Sequence, residues 1–516
     1  MLLLLVALQS LGGLLLLAII QLSWTYFTTP LKSIPGPFFA KFTNLWRFFD
    51  TYGGRPELTH QLLHKKHGSA VRLGPNVVSI SDPKYLRVIY NTRGDYLKLK
   101  KTDPWKSKFY TVNDTKVGNQ IIKNVFSTLS NEWHSTALRP IQKFYKMSAV
   151  LAQEPLVDLT IHSFFKHLDE KFVDTGKACK IDEWMLFFSW DVIAQMTFRR
   201  PMGFMDEGRD HSGLLHTADR ALDYFATIGQ IPALDHWLAK NPIRPIGPPS
   251  FDSAAVFCAQ QVMERKQSES NPSRQPDMLD GFLETQKVNP EAVTDNDLIS
   301  ALIVNIVAGA DTTASLLRSV IYYVLKNPKV HKRLQEELDN ANLATPVPYA
   351  TATTLVYFDA VIRESGRIGP GVGLLLERIV PQGGLALSDG KLIPAGTIVG
   401  MNPWVIHQDK EVYGEDAASF NPDRWLRDVA SGETEEDFQA RFSRMKATDL
   451  TFGAGNRICL GKNVALMQVY KAITTLFLTY DMSLVDPKKE WHVQNSWFVR
   501  QSDIDIKIQR RKVTKA

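Results

Sequence analysis

One ten-residue run constrains this chain more than any other: Phe452-Gly453-Ala454-Gly455-Asn456-Arg457-Ile458-Cys459-Leu460-Gly461, followed at once by an apolar helix-forming stretch. A lone cysteine is ordinarily a small buried hydrophobe. On a glycine-rich turn that opens a helix, free N–H groups and the helix dipole favour the thiolate instead. The run thus predicts a soft anionic ligand presented on a tight loop, with a cation, Arg457, two residues away.

A single thiolate can serve as the axial ligand of a haem iron. Phe452, Gly455, Arg457, Cys459 and Gly461 fill the pattern Phe-x-x-Gly-x-Arg-x-Cys-x-Gly without departure. In this the chain resembles the cytochrome P-450 superfamily. The resemblance implies a mainly α (α+β) fold, a helix-rich domain with small β-sheets, and haem b (iron protoporphyrin IX) with Cys459 as its metal ligand. It covers about residues 30–510.

Size and composition agree with one large domain. The 516 residues contain no internal repeat or long Gly/Ser linker, and 44% are hydrophobic, ample for a sizeable core. Three cysteines exclude a disulfide framework, so Cys179 and Cys258 read as plain core or surface residues. A net charge of +6 is mild for this length. It does not suggest nucleic acid and suits an acidic electron donor or an anionic membrane surface.

Leu2 to Leu22 is apolar except for Gln9, Ser10 and Gln21, and Trp24, Tyr26 and Phe27 follow. As a helix it would span roughly 30 Å, the thickness of a bilayer core. Lys32, Lys41 and Arg47 lie after it and no basic residue before it, which places the large C-terminal part in the cytosol. The expected organisation is a transmembrane anchor over 1–24, a proline-rich hinge over 25–37 and a catalytic domain over 38–516. The hinge resembles that of microsomal family members, implying a single-pass protein of the endoplasmic reticulum membrane.

Along the chain, Pro56 to His67 reads as a short helix, and Val71–Leu73 with Val77–Ile80 as paired strands around Gly74-Pro75-Asn76. His60, His64 and His67 share one face of that helix. No carboxylate or Cys completes a metal set, so a solvated amphipathic helix is expected. Residues 131–239 read as mostly helical, Pro242 to Pro249 as irregular, Gln267 to Gln275 as an exposed loop, and Ile393–Val399 and Ser502–Gln509 as short strands.

Thr294 and Asp297 form a capping-box pattern, and the run continues to Lys326 before Asn327-Pro328 stops it. Its middle is Ala308-Gly309-Ala310-Asp311-Thr312-Thr313. Gly309 weakens a helix, threonine hydroxyls bond back to carbonyls, and a buried Asp needs a partner. A locally opened helix lining a cavity is expected. The run resembles the family's oxygen-activating stretch, which implies that Thr312 hydrogen-bonds bound dioxygen and that Asp311 relays protons from solvent.

Glu364 and Arg367 are three apart on a predicted helix and match the family's Glu-x-x-Arg. Phe420-Asn421-Pro422-Asp423-Arg424-Trp425 resembles the segment whose Arg joins that pair, implying a buried Glu364–Arg367–Arg424 network that builds rather than catalyses. Haem propionates need cations. The resemblance points to Arg457 and Arg378, with His134 of Trp133-His134 as a further candidate. Arg139 does not have the family's spacing.

The implied reaction is insertion of one oxygen atom of O2 into a small lipophilic substrate by hydroxylation, epoxidation or demethylation. Nothing in the chain resembles a flavin or NADPH site, so electrons come from a separate NADPH-cytochrome P-450 reductase, with cytochrome b5 a further possible donor. Arg441, Arg444, Lys446 and Lys462 flank the Cys loop and could form a basic docking face. Val71-Arg72-Leu73-Gly74-Pro75-Asn76, Ser81-Asp82-Pro83 and Met147-Ser148-Ala149 resemble filamentous-fungal members, the pisatin demethylase-like group included. That implies a fungal secondary metabolite as substrate, contacted from about 104–125, 202–245, Ile303–Thr313, Ile368–Leu374 and near Phe498. Two other readings are open: a haem-thiolate isomerase or dehydratase, which the intact Asp311-Thr312 disfavours, and a non-catalytic haem-binding sensor.

Overall fold

A computed structural model describes residues 2–90, 106–117, 120–248, 252–267, 276–291 and 293–511. Its axis is the helix Asp295–Lys326, 32 residues long. Thr294 Oγ1 accepts from Asp297 N at 3.2 Å and Asp297 Oδ2 accepts from Thr294 N at 3.0 Å, the expected capping box. The helices Ile181–Phe198, Val356–Ile368 and Lys462–Thr479 pack around it. Leu302, Ile306, Leu317, Val320, Phe188 and Ile473 belong to the single large apolar cluster that these helices share.

The expected opening of the central helix is not found: it runs unbroken through Ala308–Thr313. Gly309 serves packing. A Cβ there would meet Ile193 Cγ1 at 3.0 Å, so glycine lets the helix Ile181–Phe198 approach closely. The hydroxyls of Thr312 and Thr313 donate to Ala308 O and Gly309 O at 2.8 and 2.7 Å, satisfying themselves within the helix.

The largest sheet has four strands in the order Ala70–Gly74, Val77–Ile80, Ile398–Gly400, Arg378–Ile379. The first two form the expected hairpin, and Val77–Ile80 pairs in parallel with Ile398–Gly400. The strand expected over 393–399 is broken in two, because Pro394-Ala395-Gly396 turns and Gly396 sits at φ 80°. Likewise Ser502 and Asp505 belong to different strands, separated by Asp503 at φ 67°. His492–Ser496 and Phe498–Ser502 form a hairpin that turns through Trp497, at φ 74°.

Leu2–Thr28 is one continuous helix, and its described side chains from Gln9 onward are exposed or half-buried. Among the described residues, the helix long and apolar enough to cross a membrane by length and hydropathy is Asp295–Lys326, and half of its apolar window is buried in this domain. The proline-rich segment that follows Thr28 is docked rather than loose. Leu31 and Ile34 are buried, Arg72 N donates to Pro35 O at 2.7 Å, and the Arg72 guanidinium donates to Thr29 Oγ1 at 3.0 Å.

The helix Pro56–His67 forms as expected, but His60 and His64 are buried rather than solvated. His60 Nδ1 meets Asn402 Nδ2 at 3.1 Å, and His64 bonds Ser79 Oγ at 2.7 Å and Gly68 O at 2.9 Å. Burial holds both imidazoles neutral, at about 3 and about 4. Charge on this face was misleading because the helix packs against the first hairpin and the turn Pro403–Ile406.

The Glu364 network is present. Arg367 Nε and a terminal nitrogen reach Glu364 Oε2 and Oε1 at 2.8 and 2.7 Å, and Arg424 Nε reaches Oε1 at 2.9 Å. Asn421 N and Trp425 Nε1 complete the donors, at 2.8 and 2.9 Å. Glu364 and Arg367 are fully enclosed. Removing one charge leaves the others buried without compensation, a loss of about 3–5 kcal/mol. Glu364→Gln should therefore lower the thermal unfolding midpoint sharply, whereas Arg363→Gln, whose pair with Asp359 is about one-third exposed, should change it little.

Candidate functional site

The loop that carries Cys459 hangs from two fixed points. Leu450 N donates to His407 Nε2 at 2.8 Å, and Thr451 Oγ1 donates to Gly366 O at 3.2 Å. The loop then closes on itself, Cys459 N donating to Phe452 O at 2.8 Å. Gly453 and Gly455 have φ of 70° and 69°. At Gly455 any Cβ would lie 2.1 Å from Tyr90 O, so the turn requires glycine there.

Cys459 is surrounded by protein on nearly every side yet its surface is accessible, as suits a residue walling a recess. Burial raises its thiol pKa; backbone N–H groups of Gly461 and Lys462 and the Lys462 charge pull the other way. The helix Lys462–Thr479 begins directly after it. The expectation of a lowered pKa thus fails for the protein atoms alone, because burial outweighs the helix terminus. A cation at the sulfur is what makes the thiolate the stable form. Cys179 and Cys258 are buried with raised thiol pKa values, and neither belongs to the site.

Basic groups converge beside this loop. Arg457 donates to Val125 O, Thr128 O and Ser130 O at 3.0, 3.2 and 3.4 Å. Arg378, buried, donates to Glu377 O at 2.8 Å and lies 4.9 Å over the Tyr90 ring. His134 is buried on the helix Asn131–Leu138, whereas Arg139 is exposed at its end. Burial, then Arg457 and Lys106, hold His134 neutral at about 3. Burial and Arg378 depress Arg457 to about 9, and burial, Arg457 and Arg378 bring Lys106 well below the ordinary lysine value.

Lys106 escaped the sequence reading. It stands in Lys98-Leu-Lys-Lys-Thr-Asp-Pro-Trp-Lys106-Ser-Lys108, a lysine-rich run in which nothing in the sequence marks one lysine as buried. Its ammonium donates to Phe126 O at 2.6 Å and lies 3.5 Å over the Tyr110 ring. Mutually repelling buried cations are stabilised by anions placed among them. A macrocycle bearing two carboxylates and a central ferric cation answers both demands of this site, the anions at Arg457, Arg378 and Lys106 and the cation at Cys459. The residues present therefore fit a haem.

The central helix passes the same region. Asp311 is buried, and its Oδ1 accepts from Trp190 Nε1 at 3.0 Å. Burial, then the charge of Asp219, raise its carboxyl to about 7. The end of the helix Val356–Ile368 and the residues just after it join the two halves of the site. A Cβ on Gly366 would touch Thr451 Cγ2 at 3.0 Å, and one on Gly371 would lie 3.8 Å from Thr312 O. Phe452 borders the main core and stacks under Lys462 Nζ at 5.4 Å. Phe109, Phe225 and Trp497 gather rings from three of the regions expected near substrate, and Phe126, just beyond the first of them, joins the cluster, with centroids 4.6–5.9 Å apart. Residues 104–105 and 118–119 of those regions lie outside the described residues.

The Cytochrome P450 family model matches residues 34–508. Cytochrome P450 monooxygenase cfoH of Aspergillus candidus is 40% identical over 492 residues, covering 94% of this chain and 89% of the relative. Cytochrome P450 monooxygenase cicH of Emericella nidulans is 36% identical over 488 residues, covering 93% and 94%. Cytochrome P450 monooxygenase vrtE of Penicillium aethiopicum is 32% identical over 513 residues, covering 97% and 94%. Replacing Lys106 by Gln should speed loss of the cofactor to a haem scavenger about tenfold or more, the scale of one hydrogen bond to a charged group. The same change at exposed Lys108 should leave that rate unaltered.

Proposed function

We propose, for a chain that belongs to the cytochrome P450 family and is a monooxygenase, that it inserts one atom of O2 into a small lipophilic fungal secondary metabolite, with haem b held by Cys459 and electrons from a separate NADPH-dependent reductase. The overall balance is substrate, O2, NADPH and a proton going to oxygenated substrate, water and NADP+. One observation carries this reading: a cysteine sulfur walling a recess at a helix start lies beside a buried basic cluster, with Asp311 and Thr312 on the neighbouring central helix. An isomerase reading gains no support from a buried Asp with a pKa near neutrality, since a group that can give and regain protons at pH 7 serves dioxygen reduction.

Haem, when bound, supplies the cleavage of dioxygen and the transfer of one of its atoms. This chain supplies the surroundings. Cys459 sulfur is the anionic ligand, its charge shared with the N–H groups of Gly461 and Lys462. Arg457, Arg378 and Lys106 hold the two propionates, while neutral His134 offers a single further hydrogen bond. Thr312, whose hydroxyl proton is given to Ala308 O, keeps lone pairs free to accept a hydrogen bond. Asp311 exchanges a proton at its carboxyl. The aromatic rings around Trp497 exclude water and favour flat, apolar substrates.

The helix Leu2–Thr28 is assigned as a single-pass anchor in the endoplasmic reticulum membrane, with the catalytic domain in the cytosol. Its length of about 40 Å and its exposed Trp24 and Phe27 support that assignment. For the electron donor, Arg444, Lys446 and Lys462 are exposed near the Cys loop and offer a basic face to a reductase or to cytochrome b5. Arg441 does not join them, being committed to Glu433 at 2.8 Å and to Leu426 O at 2.9 Å.

The reduced protein under carbon monoxide should show the strongly red-shifted Soret band of thiolate ligation, and Cys459→Ser should lose it while Cys258→Ser keeps it. An imidazole-type band in the unsubstituted protein overturns the assignment. Deleting residues 2–28 should move the protein from the membrane pellet to the soluble fraction with its spectrum retained, because the domain's buried core begins at Thr29 and Leu31.

A further inference from the structure

Trp190 and Asp311 form a buried pair that neither the family pattern nor the cofactor explains. Trp190 is fully buried on the helix Ile181–Phe198, and Asp311 sits on the central helix. The indole Nε1 donates to Asp311 Oδ1 at 3.0 Å. Among the described residues Oδ2 has no protein partner, although it is equally buried. The indole is itself held in place. Phe204 meets it edge-on at 6.0 Å, and the neighbouring Asp191 carboxylate accepts from Gly203 N and Met205 N at 2.8 and 2.9 Å.

We propose that Trp190 is the positioning residue of the proton relay, a neutral clamp that fixes Asp311 so that its exchangeable proton resides on Oδ2. This rests on the reading of Asp311 as the relay acid. An indole N–H can only donate. Oδ1 is therefore an acceptor in both protonation states, and the proton has one place to sit. When Oδ2–H gives its proton, the carboxylate that remains keeps the same rotamer, because its bond to Trp190 survives and strengthens. Solvent protons then restore Oδ2–H.

The lack of charge on the clamp matters as much as its geometry. A lysine or arginine in the place of Trp190 would hold Asp311 equally well but keep it ionised and unable to donate near neutrality. The charged groups that face Asp311 are Asp219 from the helix Leu214–Ile228, Arg500 from the strand Phe498–Ser502, and Arg318 on its own helix. Arg500 is engaged by Asp219 at 2.8 Å and by Asp223. Arg318 donates to Asp182 O at 2.8 Å. Other helices packed on the central one direct their buried charges elsewhere: Arg367 and Arg424 to Glu364, Lys471 to Glu154 and Asp158, Arg265 to Asp277. Desolvation then dominates, and Asp311 titrates at about 7.

The test compares Trp190→Phe with a protein carrying the sulfur isostere of tryptophan, benzothienylalanine, at position 190. The isostere keeps shape and loses the N–H, so it reports on the bond even if the Phe variant packs poorly. The carboxylic C=O infrared band of Asp311 is assigned in the ferric full-length protein as the band absent from Asp311→Asn. With the isostere that band should move to higher wavenumber, since its oxygen loses a donor. The bond favours the carboxylate, so its loss raises the Asp311 pKa, and the alkaline limb of product formed per NADPH should move to higher pH. On the acid plateau, where Asp311 is protonated in both proteins, coupling should fall about fivefold because Oδ2–H is no longer held in place, the scale of one lost hydrogen bond. An unmoved band, an unmoved limb or wild-type coupling overturns the clamp. A limb that survives in Asp311→Asn overturns the relay reading itself, independently of Trp190.

Discussion

The carboxylate of Glu364 is the fixed point on which the cysteine side of the molecule depends. It gathers Arg367, Arg424, Asn421 N and Trp425 into one enclosed set. Arg367 then carries the order outward, to His407 O and Ala417 O at 2.6 Å each. His407 turns that order toward the site: its Nδ1 bonds Arg367 O at 2.9 Å and its Nε2 accepts from Leu450 N. Only the neutral imidazole with its proton on Nδ1 can do both. Burial keeps it neutral by lowering its pKa. The loop bearing Cys459 is thus positioned by a chain of hydrogen bonds that begins in a buried carboxylate and contains no flexible link.

The two faces of the site use opposite electrostatic strategies. On the cysteine side, charge is concentrated: Arg457, Arg378 and Lys106 converge, Arg378 lowers the proton affinity of Arg457, and both lower that of Lys106. Such an arrangement is unstable alone and favourable around a dianion. On the side of the central helix the nearby cations are engaged elsewhere, Arg500 by Asp219 and Arg318 by Asp182 O, and the carboxyl is held by an indole rather than a cation. One side is built to bind an ionised group permanently. On the proposed relay role of Asp311, the other lets a group change its ionisation at each turnover.

Much of this was legible in the sequence, for identifiable reasons. The capping box at Thr294, the stop at Asn327-Pro328 and the hairpin around Gly74-Pro75-Asn76 depend on local chemistry, and all three form. The Cys loop was legible because glycine at positive φ and a thiol at a helix start leave few alternatives. What failed needed partners distant in the chain. His60 and His64 looked solvated because Asn402 and the hairpin that cover them are elsewhere in the sequence. Gly309 suggested a weakened helix because Ile193, which explains it, lies on another helix. Lys106 was hidden in a lysine-rich run, and Trp190 gave no sign that it faced an acid 121 residues away. Arg441 is the exception: its partner Glu433 lies only eight residues away, and it takes up the guanidinium that looked free for docking.

The parallel pairing of Val77–Ile80 with Ile398–Gly400 has a consequence for biosynthesis. Asn76 bonds Gly396 across 320 residues of chain. At a translation rate of about 5–20 residues per second, the first hairpin waits roughly a quarter of a minute to a minute on the ribosome before its partner strand exists. Through that interval Val77, Val78 and Ile80, each buried in the finished protein, sit on an open strand edge able to pair with another nascent chain. Domain completion is therefore a late event, gated by the arrival of the last quarter of the polypeptide, and crowding among neighbouring ribosomes is the period of greatest hazard for this molecule.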